Sequence, residues 1–220
     1  MQLNLSTPIG KGRHRQCYAH PANQNLCIKI VHSLAHGGDK ELNRELKYYR
    51  HLQARTINWD ILPRYHGQVA TDQGTGYVYD LVRDYNGDVS RDLGFYLNLG
   101  QQENNFAWLT PLLAMLRLQL AQNRIVTMTL KPGNILVKRI SQDQAILVIV
   151  DNIGEASLIP AASYIPYFYA KKMTRIWRRF MQLLEKYGYN APLAITRADK
   201  KQLHSWPAQS TPALPAPAHR

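Results

Sequence analysis

The residues of this chain best suited to chemistry come in a fixed order. They are Gly10 and Gly12 in "GKG", Lys29 in "CIKIV", Glu45 in "NRELKYY", Lys131 and Asn134 in "LKPGN", and Asp151 at the end of "AILVIVD". Glycines let backbone amides approach phosphate oxygens closely. A lysine held within a strand offers its ammonium to the same oxygens, and a glutamate on a following helix can steady that lysine by an ion pair. Asn and Asp oxygens presented together suit Mg²⁺, which keeps several waters and takes a carboxylate plus phosphate oxygens. Taken singly each signal is weak: "GKG" is half of a G-x-G-x-x-G, with Arg15 where the third glycine would fall, and a glycine pair is more often an ordinary turn. Order gives them weight, because each falls where a nucleotide cleft would need it.

Elements to position these residues can be read from the periodicity. "QCYAH" and "LCIKIV" form a hairpin after the glycine turn "STPIGKGRH", and residues 37 to 54 form a helix with Asp39 as N-cap and Leu42, Leu46, Tyr49 and Leu52 on one face. "LPRYHGQVAT" and "GTGYVYDLV" add two strands, and Asn86-Gly87 marks a turn or hinge. Residues 110 to 124 form a buried helix with Thr110 as N-cap and Pro111 at its first position. "NILVKRI" and "AILVIV" make a second, smaller hairpin around "SQDQ". A final amphipathic helix, "YAKKMTRIWRRFMQLLEKY", turns Met173, Ile176, Trp177, Phe180 and Leu184 inward. From His204 the tail is rich in Pro, Ala and Ser, a composition that favours disorder.

Composition narrows the class. With 45% apolar and 10% aromatic residues the chain is globular, no apolar run reaches the ~20 residues of a membrane span, and the first residues lack a secretory signal, so a cytoplasmic protein is expected. Cys17 and Cys27 sit in no metal-ligand spacing and are expected to be reduced strand or core residues. Twenty-seven Lys and Arg against fifteen Asp and Glu leave a net +12, which favours an anionic partner: nucleotide, nucleic acid, acidic protein or anionic membrane surface. "RHR" at 13 to 15 and "KKMTRIWRR" at 171 to 179 are locally dense, yet no stacking motif, zinc spacing or helix-turn-helix signature accompanies them, which makes nucleic acid the weaker choice. His32 and His36 lack a third ligand, so no metal pair is expected there.

Residues 125 to 137, "IVTMTLKPGNILV", resemble the catalytic-loop pattern I-V-H-R-D-L-K-P-x-N-I-L of the protein-kinase-like superfamily. The matches are Ile125, Val126, Leu130, Lys131, Pro132, Asn134, Ile135 and Leu136. "VDNIG" stands where that superfamily has D-F-G, with Asp151 and Gly154 one position further apart. More closely, the chain is similar to the YrbL family of bacterial proteins, members of the PhoP regulatory network. That likeness rests on "GRHRQCYAHP", "CIKIV", "GGDKE", "RELKYY", "PRYHG", "GTGYVYD", "NRIVTM", "LKPGNIL", "DNIGE" and "LIP". The resemblance implies a two-lobed α+β fold: a small antiparallel sheet lobe with one helix over residues 1–83, a short, mainly helical lobe over 84–203, and a tail over 204–220. It further implies ATP and Mg²⁺ as cofactors. Gly10, Gly12, Lys29 and Glu45 would serve the nucleotide, Asn134 and Asp151 the metal, and Lys131, Thr129 and Asp151 the catalytic positions.

Thr129 replaces the aspartate that would accept the proton of a substrate hydroxyl. A threonine hydroxyl can position such a group but not deprotonate it. General-base help is typically worth about 10² to 10⁴ in rate, whereas phosphoryl transfer is largely a matter of placement and charge neutralisation. Two functions therefore stand open, an atypical ATP-dependent phosphotransferase acting on a protein or small-molecule acceptor, and an inactive pseudokinase serving as a nucleotide-sensing module. Glu155 is the nearest spare carboxylate for a base, although a surface charge is the commoner role for such a residue. Arg13, His14 and Arg15 are either phosphate contacts or a solvated turn.

Overall fold

The structure is a computed structural model that describes residues 3–12, 14–32, 38–155 and 161–191, with backbone alone for 38 and 39. Arg13, His36, the "LIP" segment and the tail from His204 lie outside the described residues.

The fold is α+β. Strands β1 (Gly10–Lys11), β2 (Arg15–Ala19), β3 (Leu26–Val31), β4 (Tyr65–Thr71) and β5 (Gly74–Asp80) form an antiparallel sheet in the order β1-β2-β3-β5-β4. Helix α1 (Gly38–Gln53) sits between β3 and β4 in the chain, as the periodicity predicts, and buries Leu42, Leu46, Tyr49 and Leu52. It begins at Gly38, so Asp39 belongs to its first turn rather than to its cap.

The side-chain period of two in a strand decides what the sheet offers each side. On one face Tyr18, Ile28, Ile30 and Val78 form an apolar cluster under Leu3 and Leu5. On the other, the register places Cys17 opposite Lys29 and Lys29 opposite Tyr77, with Cys27 opposite Tyr79 one step along. Arg15, two residues before Cys17, shares this second face. Gly76 is a packing position within the sheet: a Cβ there would lie 2.4 Å from Ile28 Cγ2.

Past the Asp84–Asp88 turn, where Gly87 takes φ 90°, the chain is mostly helical. Helix α2 (Leu93–Glu103), capped by the Asp92 carboxylate accepting from Phe95 N at 3.0 Å, has no counterpart among the expected elements. Helix α3 (Leu109–Gln122) starts before the expected Thr110, and its N-cap is Trp108, without a side-chain bond. Thr110 instead pairs its hydroxyl with Tyr189 Oη at 2.9 Å. A short 3₁₀ turn, Pro132–Asn134, leads into the hairpin of β6 (Ile135–Arg139) and β7 (Ala145–Ile149). Helices α4 (Ala161–Tyr164) and α5 (Pro166–Glu185) follow, and α5 buries the expected Met173, Ile176, Trp177, Phe180 and Leu184 together with Tyr169. One core runs through Tyr49, Leu52 and Tyr79 to Leu97, Trp108, Leu113, Ile149 and Phe180. Among the described residues no helix is long and apolar enough to cross a membrane.

Candidate functional site

A cleft of about 1490 Å³ opens between the second face of the sheet and the β6–β7 hairpin. Gly10, Gly12, Lys29, Lys131, Asn134 and Asp151 all line it. The β1–β2 hairpin contributes the glycines, and Gly12 N donates to Arg15 O at 2.8 Å to close its turn. Lys131 is extended, directly before the 3₁₀ turn. Asn134 and Asp151 are brought together by the β6–β7 ladder: Ile135 pairs with Ile149, and Val150 N donates to Asn134 O at 2.9 Å. Asn134 therefore sits one residue before β6 and Asp151 two residues past β7, and both line the cleft.

Glu45 and Thr129 do not line the cleft. Glu45 is wholly buried, and Thr129 is exposed. The expected Lys29–Glu45 ion pair is not formed. Glu45 Oε2 accepts from Arg15 Nη2 at 2.9 Å, and Oε1 accepts from Tyr79 Oη at 3.1 Å. The same Arg15 Nη2 reaches Asp151 Oδ1. The reason lies in the strand register: Arg15 and Lys29 share one face of the sheet, and the longer, forked guanidinium satisfies two carboxylates where an ammonium serves as a point charge. Lys29 Nζ instead donates to Val150 O and lies 4.5 Å from the centre of the Tyr79 ring. Arg15 is thus neither a solvated turn residue nor simply a missing glycine, since its side chain is only 11% exposed.

The titration behaviour follows from this packing. Burial pushes the Arg15 guanidinium down, but Glu45 and Asp151 outweigh it and hold its pKa above the ordinary value. Burial also pushes the Asp151 carboxyl up, yet Arg15, Lys29 and the Asn152 amide, which donates to Oδ1 at 2.8 Å, bring it below the usual range. Asp151 is therefore ionised at neutral pH. Tyr79 is driven upward by burial first and by the Glu45 charge second, so its phenol stays protonated as a donor.

The loop preceding Lys131 is tied from behind. Tyr48 on α1 accepts from Val126 N at 2.7 Å, and burial, only partly offset by that bond, pushes its phenol up to about 12. Residues 126 to 128 pair with 152 to 154 through Met128 N to Asn152 O at 2.7 Å and Gly154 N to Val126 O at 2.9 Å. Gly154 has φ 115° and its position would put a Cβ 3.1 Å from Tyr48 Cβ, so glycine is required there. Thr127 is fully buried with its hydroxyl unpartnered.

Glu155 does not line the cleft, and its side chain, 5% exposed, is no surface charge. It accepts from Ser163 N at 3.1 Å, Ser163 Oγ at 3.0 Å and Lys172 Nζ at 3.2 Å, which binds it into the start of α4 and the flank of α5. Cys17 and Cys27 lie in β2 and β3 as free thiols. His32 Nε2 lies 3.3 Å from Gly12 O, and among the described residues no three His, Cys, Asp or Glu side chains gather as a metal cluster. The functional residue that sequence reasoning undervalued is Arg15; its signal was strand alternation, which puts it on the Lys29 face.

The sequence matches the family described as PhoP regulatory network protein YrbL over residues 1–185. It is 49% identical over 181 residues to the YrbL proteins of Escherichia coli (strain K12) and of Shigella flexneri, covering 82% of this chain and 86% of each relative.

Proposed function

The chain belongs to the YrbL family of PhoP regulatory network proteins, and on that premise we propose that it is a cytoplasmic, kinase-like protein that binds ATP with Mg²⁺ in the cleft. The observation that carries this reading is the convergence of Gly10, Gly12, Lys29, Lys131, Asn134 and Asp151 on one cavity from four separate stretches of sequence. In this reading residues 1–83 and 84–203 act as the two lobes flanking the nucleotide.

The donor set fits the cofactors. Arg15 Nη1 and His14 Nδ1 are buried without partners on residues that line the cleft, and the guanidinium Nη1 is the kind of donor an anionic oxygen would take. The Gly10–Gly12 hairpin gives backbone access to phosphates, and Lys29 and Lys131 supply ammonium groups. Asn134 and the ionised Asp151 offer the hard oxygens that Mg²⁺ takes. When bound, the metal would neutralise phosphate charge. Arg15 and the Asn152 amide both engage Asp151 Oδ1, so Oδ2 is the oxygen that Asp151 would offer to the metal.

Within this reading, nucleotide sensing without transfer is favoured over phosphotransfer by one pair of observations: Thr129 faces solvent outside the cleft, and Glu155 is bound by Ser163 and Lys172. The test is a thermal melt with ATP, with and without Mg²⁺, on the intact protein and on Asp151→Asn. A Mg²⁺-dependent rise in Tm that Asp151→Asn removes supports the reading, and the absence of any nucleotide shift overturns it. Transfer of labelled γ-phosphate to the protein or to an acceptor would restore the phosphotransferase.

A further inference from the structure

The basic run at 171 to 179 takes no part in the cleft, and α5 shows what it presents. Helix α5 carries Lys171, Lys172, Arg175, Arg178 and Arg179, and its single acidic residue is Glu185 at the last position. Lys172 is engaged by Glu155. Lys171, Arg175, Arg178 and Arg179 are exposed, and no described residue pairs with them. At 100° per residue these four fall within one sector of the helix, opposite the buried Met173, Ile176, Trp177 and Phe180.

The same sector opens on exposed aromatics. Tyr167 is 68% exposed and Phe168 45%, and the adjoining Tyr164 and Ile165 are 64% and 46% exposed. Among the described residues the other large apolar side chains left open, Ile9, Tyr85 and Val89, lie on other elements. A groove of about 530 Å³ runs beside Phe168, Lys171, Arg175 and Arg178. Amphipathic aromatic rings at one end of a cationic helix face are the composition of a helix that rests in a lipid headgroup layer, with rings in the interface and Lys and Arg on phosphates.

We propose that the exposed face of α5, entered through Tyr164–Phe168, is a docking surface for an anionic phospholipid bilayer. Charge complementarity selects an anionic surface, and the clustered tyrosine, phenylalanine and isoleucine select one with an apolar layer beneath its phosphates, which neither duplex nucleic acid nor a purely acidic protein face supplies. This assignment is independent of whether the cleft binds nucleotide.

The test is co-sedimentation of the full chain with vesicles of phosphatidylcholine alone and with vesicles that also carry phosphatidylglycerol. Binding is expected only to the second kind and should fall as salt is raised. At about fivefold per cation, the double variant Arg175→Gln/Arg178→Gln should lower the partition coefficient about 25-fold. Tyr167→Ser/Phe168→Ser should retain the salt-sensitive attraction and lose the part that survives high salt. All these positions are exposed, so unchanged melting curves for the variants are expected, and the salt titration of the unmodified protein stands apart from any folding defect. Equal binding to neutral vesicles, no binding to either, variants that bind like the parent, or displacement from vesicles by duplex DNA at equal phosphate concentration would each overturn the proposal.

Discussion

Two cationic regions of this molecule treat charge in opposite ways. At the cleft, Arg15 is nearly buried and shared between Glu45 and Asp151, while on α5 Lys171, Arg175, Arg178 and Arg179 stand exposed without partners among the described residues. A buried ion whose partner is removed leaves an uncompensated charge, whereas an exposed one is solvated whether or not it has a partner. The first region therefore builds the fold and shapes the site, and the second is available to other molecules. The net +12 mixes the two and by itself locates neither.

Removing a member of the buried network should have the largest effect. Arg15→Met is expected to cost about 3 to 5 kcal/mol in urea denaturation, because Glu45 remains wholly buried with only Tyr79 as donor. Equal stability of the variant and the parent would mean that the network does not hold the sheet to α1. Next is Gly76→Ala, whose added Cβ meets Ile28 Cγ2 at 2.4 Å; overpacking of this kind costs about 1 to 3 kcal/mol, readable as a lower Tm. Acid is a milder probe of the same network. The Asp151 pKa is depressed in the folded state, so its contribution is fully present above its ordinary value of 3.8 and is lost as pH falls below that value. The acid limb of a pH–stability curve should therefore flatten in Asp151→Asn. The smallest effect belongs to α5, where Arg175→Gln should leave stability within about 0.5 kcal/mol of the parent.

Much of the architecture was legible because it rests on periodicity. The alternation in "LCIKIV" and the helical spacing of Met173, Ile176, Trp177 and Phe180 both correspond to buried faces in the structure. Helix α2 carries the same kind of signal, Leu93, Tyr96, Leu97 and Gly100 after the Asp92 cap, but two glycines within eleven residues weaken its helical pattern. Gly100 is there for contact: a Cβ would meet Phe106 Cε1 at 2.8 Å. In the site, residues fixed by a strand end or a turn were readable one at a time, which is why Lys29, Asn134 and Asp151 could be placed together. The pairing among them was not, because the sequence offers two cations on one sheet face, and only the three-dimensional reach of each decides that Arg15 takes Glu45. Glu155 was misread for a similar reason, since its partners Ser163 and Lys172 come from helices that pack over it.

The bond from Lys29 to the Val150 carbonyl spans the cleft from sheet to hairpin. With the Arg15–Asp151 pair it is one of two side-chain ties across the cavity among the described residues, and in the proposed reading the same ammonium is the group an entering anion would take. In that reading occupancy and aperture would be geared together: a guest that claims Lys29 would release one of the two struts between the walls and leave Arg15 to Asp151 as the other.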